Sequence, residues 1–126
     1  MALRRELCLT IVLLCGFVLP LAAQEARGNL LGRVTDSSDA VIIGAKVEAL
    51  NTDTGVRFST TTNRSGDYIF PLLVPGSYTI TVENSGFKTY SRKGIAVRVG
   101  DQLSINIAME VGQSNQTVQV LSLIHI

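Results

Sequence analysis

The chain has 126 residues and almost balanced charge, with 11 Lys and Arg against 10 Asp and Glu, so no strong field draws it to nucleic acid or to an anionic membrane. Its two cysteines, Cys8 and Cys15, both fall in an N-terminal leader, which excludes disulfides and thiolate metal sites from the body of the protein. The single histidine, His125, stands next to the last residue.

Arg4 and Arg5 form a positive start, Leu7 to Leu19 is an almost unbroken apolar run, and Pro20 then precedes Ala22 and Ala23. That order predicts a secretory signal peptide over residues 1–23, cleaved after Ala23. The apolar run is shorter than the roughly 20 residues that a membrane-spanning helix needs. Leu14 before Cys15 argues against a lipoprotein signal, which would place a small residue there.

Residues 24–120 suffice for one domain with its own core, not for two. A first strand is predicted near Asn29 to Thr35, with Val34 inward and Arg33 and Thr35 outward. Asp36-Ser37-Ser38-Asp39 is a turn, since short polar side chains bond nearby backbone. From Ala45 to Thr52, Lys46 and Glu48 alternate with Val47 and Ala49, which gives one wet face and one buried face. After the turn Asp53-Thr54-Gly55 comes a strand over Val56 to Thr62, whose β-branched Thr60, Thr61 and Thr62 suit a pleated surface.

Asn63-Arg64-Ser65-Gly66 is read as a tight hairpin turn, and Tyr68, Phe70 and Leu72 are expected to share one face of the next strand. Pro75-Gly76 is read as a turn pair with Gly76 left-handed. Tyr78, Ile80 and Val82 then point inward, Ser85-Gly86 turns the chain, and Phe87 seals one end of the core. Lys88 to Lys93 reads as an edge strand or ordered loop, guarded by its charges. Ile95, Val97 and Val99 alternate with Ala96 and Arg98, and Leu103, Ile105, Ile107 and Met109 give the clearest period of two. Nothing sustains a helical period. About seven short strands with regular turns predict an all-β sandwich.

Gly32-Arg33-Val34-Thr35-Asp36, Gly44-Ala45-Lys46-Val47, Asn63 through Gly66-Asp67-Tyr68-Ile69-Phe70, Pro75-Gly76-Ser77-Tyr78 and Gly86-Phe87 follow one another in a specific order. In that order they resemble the carboxypeptidase regulatory-like domain. The resemblance implies a seven-stranded Greek-key β-sandwich of transthyretin-like, carbohydrate-binding-like fold over residues 24–112. Asp39 and Ile43 stand where a glycine and a proline are typical, which leaves those turn geometries open. A leader followed directly by this domain, with Asn51-Thr52-Asp53-Thr54-Gly55 and a final Met109-Glu110-Val111-Gly112, resembles the start of TonB-dependent outer-membrane receptors.

That resemblance implies a periplasmic N-terminal module, with a plug and a membrane β-barrel further along the same chain. Residues 113–120 would be a polar, extended linker toward them. Leu121 to Ile126 reads LSLIHI, the translation of a stretch common in sequencing-library adapters, so the natural sequence is expected to continue past Val120 and His125 to be foreign.

No enzyme is expected. A zinc peptidase needs His and carboxylate ligands with an open position for water, and the body offers no histidine. Its serines and threonines lack an accompanying base. Asp36 and Asp39 lack the spacing of a calcium loop and read as an ordinary turn. No cofactor, metal ligand or catalytic residue is therefore assigned.

Phe58 and Tyr90 are the candidate contacts for a ligand or partner, through stacking of exposed rings. Lys46 and Asn106 are the residue types of an isopeptide crosslink, but both are expected to face outward, with no buried carboxylate beside them. The leading expectation is a non-catalytic periplasmic module with an interaction or structural role in outer-membrane transport. Its partners would be the plug and barrel of the same chain and periplasmic energy-transducing proteins. The alternative is a secreted carbohydrate-binding or adhesion module whose partners are glycans.

Overall fold

The computed structural model describes residues 27–113 and 115–120. The leader, residues 121–126 and His125 lie outside them. Among the described residues nine strands form: β1 (Gly28–Thr35), β2 (Lys46–Asn51), β3 (Arg57–Thr61), β4 (Asp67–Leu73), β5 (Gly76–Glu83), β6 (Thr89–Val97), β7 (Gln102–Ser104), β8 (Ile107–Ala108) and β9 (Thr117–Val120). They make two sheets packed as a sandwich. The smaller has the order β4-β1-β7, with β8 also on β1, and the larger has the order β3-β2-β5-β6-β9.

The core follows from alternation. Leu30 and Val34 of β1, Val47 and Ala49 of β2, and Tyr78, Ile80 and Val82 of β5 are fully buried, while their neighbours in sequence face outward. Transverse rows cross the larger sheet in register. One runs Phe58, Ala49, Ile80, Arg92, Val120, and the next runs Thr60, Val47, Val82, Tyr90, Val118. Burial of these aliphatic side chains supplies the main drive for folding, at about 1.5–3 kcal/mol for each large one.

Several expectations change. The alternation in β4 breaks after Phe70: Leu72 takes φ +58° and turns out to solvent, and Leu73 enters the core in its place. The cause is a register shift opposite Gly28 and Leu30, where the Asn29 side chain accepts the Leu72 N–H at 2.9 Å. Gly76 is not left-handed but opens β5. It is small because a Cβ there would come within 3.0 Å of Asn51 Nδ2 and 3.1 Å of Asp53 Oδ2.

The segment expected as an edge joins the following alternation in one strand, β6, held between β5 and β9 over its first half. Its continuity is interrupted only by a shift near left-handed Gly94. The Leu103 to Met109 alternation is split into β7 and β8, both parallel to β1. Thr117–Val120 is extended as expected, yet it pairs with β6 and packs Val120 against the core.

Asp39, where the resemblance expects glycine, keeps the left-handed geometry at φ +63°. Asp36 builds that turn: its Oδ1 accepts from Ser38 N at 2.8 Å, Ser38 Oγ at 2.7 Å and Ala40 N at 3.0 Å. Aspartate tolerates this backbone better than most residues because its short polar side chain bonds locally.

Candidate functional site

The outer face of the smaller sheet carries an open cleft of about 590 Å³, floored by Leu31 and Ile69 and rimmed by Arg33, Asp67, Ser104 and Asn106. Arg33 and Asp67 are register partners on β1 and β4, which puts the Arg33 Nε 2.8 Å from the Asp67 carboxylate. The guanidinium's hydrogen bond holds the Asp67 carboxyl below its ordinary range and raises Arg33 in turn. Asn106 Oδ1 accepts the Arg33 backbone N–H at 3.1 Å, tying the segment between β7 and β8 to β1. The cleft therefore presents a fixed cation–anion pair, an amide and a hydroxyl beside an apolar floor. Such a surface can hydrogen-bond a polar ligand. Ser104 shares this lining with the carboxylates of Asp39 and Asp67, the latter paired with Arg33.

The two rings expected to contact a ligand are not brought together. Phe58 lies on the outer strand β3, half-buried against the core. Tyr90 is three strands away on β6, some 14 Å at the usual ~4.8 Å strand spacing. Only 8% of Tyr90 is exposed, so its faces are spent on packing and are not open to stack on a sugar. Burial raises the Tyr90 hydroxyl above the ordinary tyrosine range, with Arg92 partly opposing it. Tyr68, across the sandwich, is raised further by burial, and its hydroxyl donates to the Ile105 carbonyl at 2.7 Å. Lys46 on β2 and Asn106 between β7 and β8 both face solvent, and the Asn106 Oδ1 accepts from the Arg33 backbone. The Asp36 carboxylate is committed to its own turn.

One residue escaped the reading of the sequence. Arg92 follows Tyr90 by two positions, so it faces the same side, and its half-buried guanidinium lies beside the Tyr90 hydroxyl. The signal was present in the period of two, which places Arg92 on an inward position. Expecting an outward edge charge hid it.

Two packed sheets joined by short turns, with an open polar cleft and an interior of aliphatic and tyrosine side chains, define a small β-sandwich module. The chain belongs to the carboxypeptidase regulatory-like domain family, which matches residues 29–110. Among curated proteins it is similar to the TonB-dependent transporter Oar of Myxococcus xanthus, with 27% identity over 117 residues. The match takes in 88% of this chain but only 11% of the transporter, so the chain spans about a tenth of that relative's length.

Solved structures share the fold. The TIE protein of Bacillus anthracis superposes with a TM-score of 0.56 at 20% identity, over 68% of this chain and 17% of its own. A candidate carbohydrate binding protein from Bacteroides uniformis gives 0.55 at 16%, over 67% and 41%. Catechol 1,2-dioxygenase from Acinetobacter radioresistens gives 0.52 at 13%, over 85% and 58%. At these identities the likeness is one of fold alone.

Proposed function

We propose that this chain is a non-catalytic periplasmic β-sandwich module of a TonB-dependent receptor-like outer-membrane protein, with an interaction or structural role in transport. The observation that carries this reading is the similarity to the Myxococcus transporter along 88% of the chain. The partners in this reading are a plug and barrel in the same full-length protein and the periplasmic proteins that energise them. The leader-like residues 1–23 fit it, since such a receptor must first cross the inner membrane.

The test is to express the chain with a C-terminal tag in a Gram-negative host and fractionate the cells. Recovery from the periplasm with residues 1–23 removed supports the reading. Retention of unprocessed chain in the cytoplasm overturns it. In the full-length gene, deletion of residues 24–112 is expected to leave outer-membrane assembly intact while reducing uptake.

A second reading, a secreted carbohydrate-binding module, is favoured by one observation: the cleft places Arg33, Asp67 and Asn106 around an apolar floor. Phe58 is the ring that remains partly open to a glycan, whereas Tyr90 acts only from within the core. Glycan-array binding lost in Asp67→Ala, or in Phe58→Ala, selects this reading.

A further inference from the structure

The neighbouring outer strands β3 and β4 treat an exposed edge differently. β4, outermost in the smaller sheet, is blocked. Asn63 bonds the Asp67 backbone twice, each time at 3.0 Å, Pro71 has no N–H to offer, and the bulge with left-handed Leu72 bends the remainder. β3, outermost in the larger sheet, has none of these devices. Arg57–Thr61 keeps an unbroken register on β2, contains no proline and carries one charge, Arg57, which is bound to Glu48 on its own sheet. The chain enters the described structure at Arg27, before β1 in the other sheet. It leaves at Val120 on β9, the opposite edge of this sheet and ~19 Å from β3 at the usual strand spacing.

The bonds to β2 fix which groups face this edge. The Thr62 N–H donates to the Ala45 carbonyl at 3.0 Å, and the Asn51 N–H donates to the Val56 carbonyl at 2.8 Å. Between those bonds the register does not shift, so Phe58 and Thr60 turn their backbone groups to β2. Arg57, Ser59 and Thr61 turn theirs outward. The side chains of these three are exposed on the outer face, while Phe58 and Thr60 are partly buried on the inner one.

Three outward residues spaced by two make a self-complementary set. An antiparallel pairing centred on Ser59 sets Ser59 against Ser59, and Arg57 of each copy against Thr61 of the other. This register engages all three residues, and each pair exchanges two backbone hydrogen bonds. Registers shifted toward the start of the strand bring the two Arg57 side chains together, which like charge opposes. On the inner face Phe58 of one copy stands opposite Thr60 of the other, and the two Phe58 rings become diagonal neighbours within reach of each other. Each ring then covers the other where a single chain leaves it half-buried.

We propose that β3 is a self-association edge. Two copies of this chain pair through Arg57–Thr61 about a twofold axis at Ser59 and join their larger sheets into one. The occupant is a second copy because the strand matches itself in hydrogen-bond phase, in charge and in packing. The proposal goes beyond the outer-membrane reading and does not depend on it.

The test uses the chain from Gln24 onward, which holds every described strand. Sedimentation equilibrium is expected to show monomer and dimer exchanging at concentrations up to about 1 mM. Raising the concentration is expected to slow hydrogen exchange at the Arg57, Ser59 and Thr61 amides. Phe58 and Thr60, already bonded to β2, are expected to exchange slowly at every concentration. Thr61→Lys puts a lysine opposite Arg57 on both sides of the axis and is expected to weaken the dimer about tenfold, whereas Thr61→Glu tightens it by about as much. Ser59→Pro removes the outward N–H at the axis and is expected to abolish the dimer while circular dichroism stays that of the wild type. A chain that stays monomeric at about 1 mM overturns the proposal and leaves the edge to a strand of a different protein. A dimer indifferent to these substitutions, or slowed exchange away from the three outward amides, also overturns it, in favour of another surface. If Ser59→Pro does not fold, the opposite responses of Thr61→Lys and Thr61→Glu decide the matter.

Discussion

Gly32 sits on β1 where a methyl group would run into the Ile105 carbonyl and, at 2.9 Å, the Tyr68 hydroxyl. The close approach lets the segment after β7 lie against β1, with the Ile105 N–H donating to the Leu31 carbonyl at 2.8 Å. Gly32→Ala is expected to destabilise the fold by about 3 kcal/mol, because backbone must move to relieve the overlap. Chemical denaturation measures it, and a loss below ~1 kcal/mol would show that the strands separate easily. Tyr68 closes the same contact, and Tyr68→Phe leaves the Ile105 carbonyl short of a donor, at a cost of about 1–2 kcal/mol.

That tyrosine also sets a pH dependence. In an unfolded chain tyrosine ionises near pH 10, whereas burial raises Tyr68 well above that in the fold. Its contribution is therefore complete below about pH 10 and is lost as pH rises toward the folded value. Stability measured between about pH 9 and 11 is expected to fall more steeply in the wild type than in Tyr68→Phe.

Among the elements, the junction of β2 and β3 rests on one buried hydroxyl. Thr62 Oγ1 donates to the Ile42 carbonyl at 2.6 Å and accepts the Ala45 N–H at 2.9 Å, closing the ladder where the loop before β2 begins. Thr62→Val keeps the shape but leaves both backbone groups unpaired, and is expected to cost about 2 kcal/mol. Equilibrium unfolding of the variant checks this; a change within ~0.5 kcal/mol would mean that water reaches the junction.

The strands themselves were legible wherever alternation was clean. Val47 and Ala49, and Tyr78, Ile80 and Val82, announce their inward faces because the pleat leaves no other choice. Leu72 was misread because a bulge is set by the partner strand, and nothing in Pro71-Leu72-Leu73 reveals the Asn29 side chain that holds it. Gly76 was misread for a related reason: its smallness serves a contact with Asn51 and Asp53, residues more than twenty positions earlier.

On the scale of the whole molecule, the sandwich was visible in the spacing of turns, and its pairing was not. Parallel contacts of β7 and β8 with β1, and of β9 with β6, join segments far apart in sequence that no local pattern relates. The cleft was unreadable for the same reason, since Arg33, Asp67 and Asn106 come from three separate stretches that meet only once β4 and β7 flank β1. Phe58 and Tyr90 stand out by residue type alone, and the transverse rows of the larger sheet keep them apart.

The position of β1 has a consequence in time. A chain made from its N-terminus offers Gly28–Thr35 before the other described strands, yet the two parallel neighbours of that strand emerge only after β6. At ~5–20 residues per second of synthesis, β1 waits several seconds with one flank bare. Nascent chains halted before Gln102 are therefore expected to be cut by protease within β1, and chains extending past Met109 to resist. The centre of the smaller sheet is made before the other described strands and is enclosed only when β7 and β8 follow, so a helper that shields emerging chains has most to do here while β1 waits.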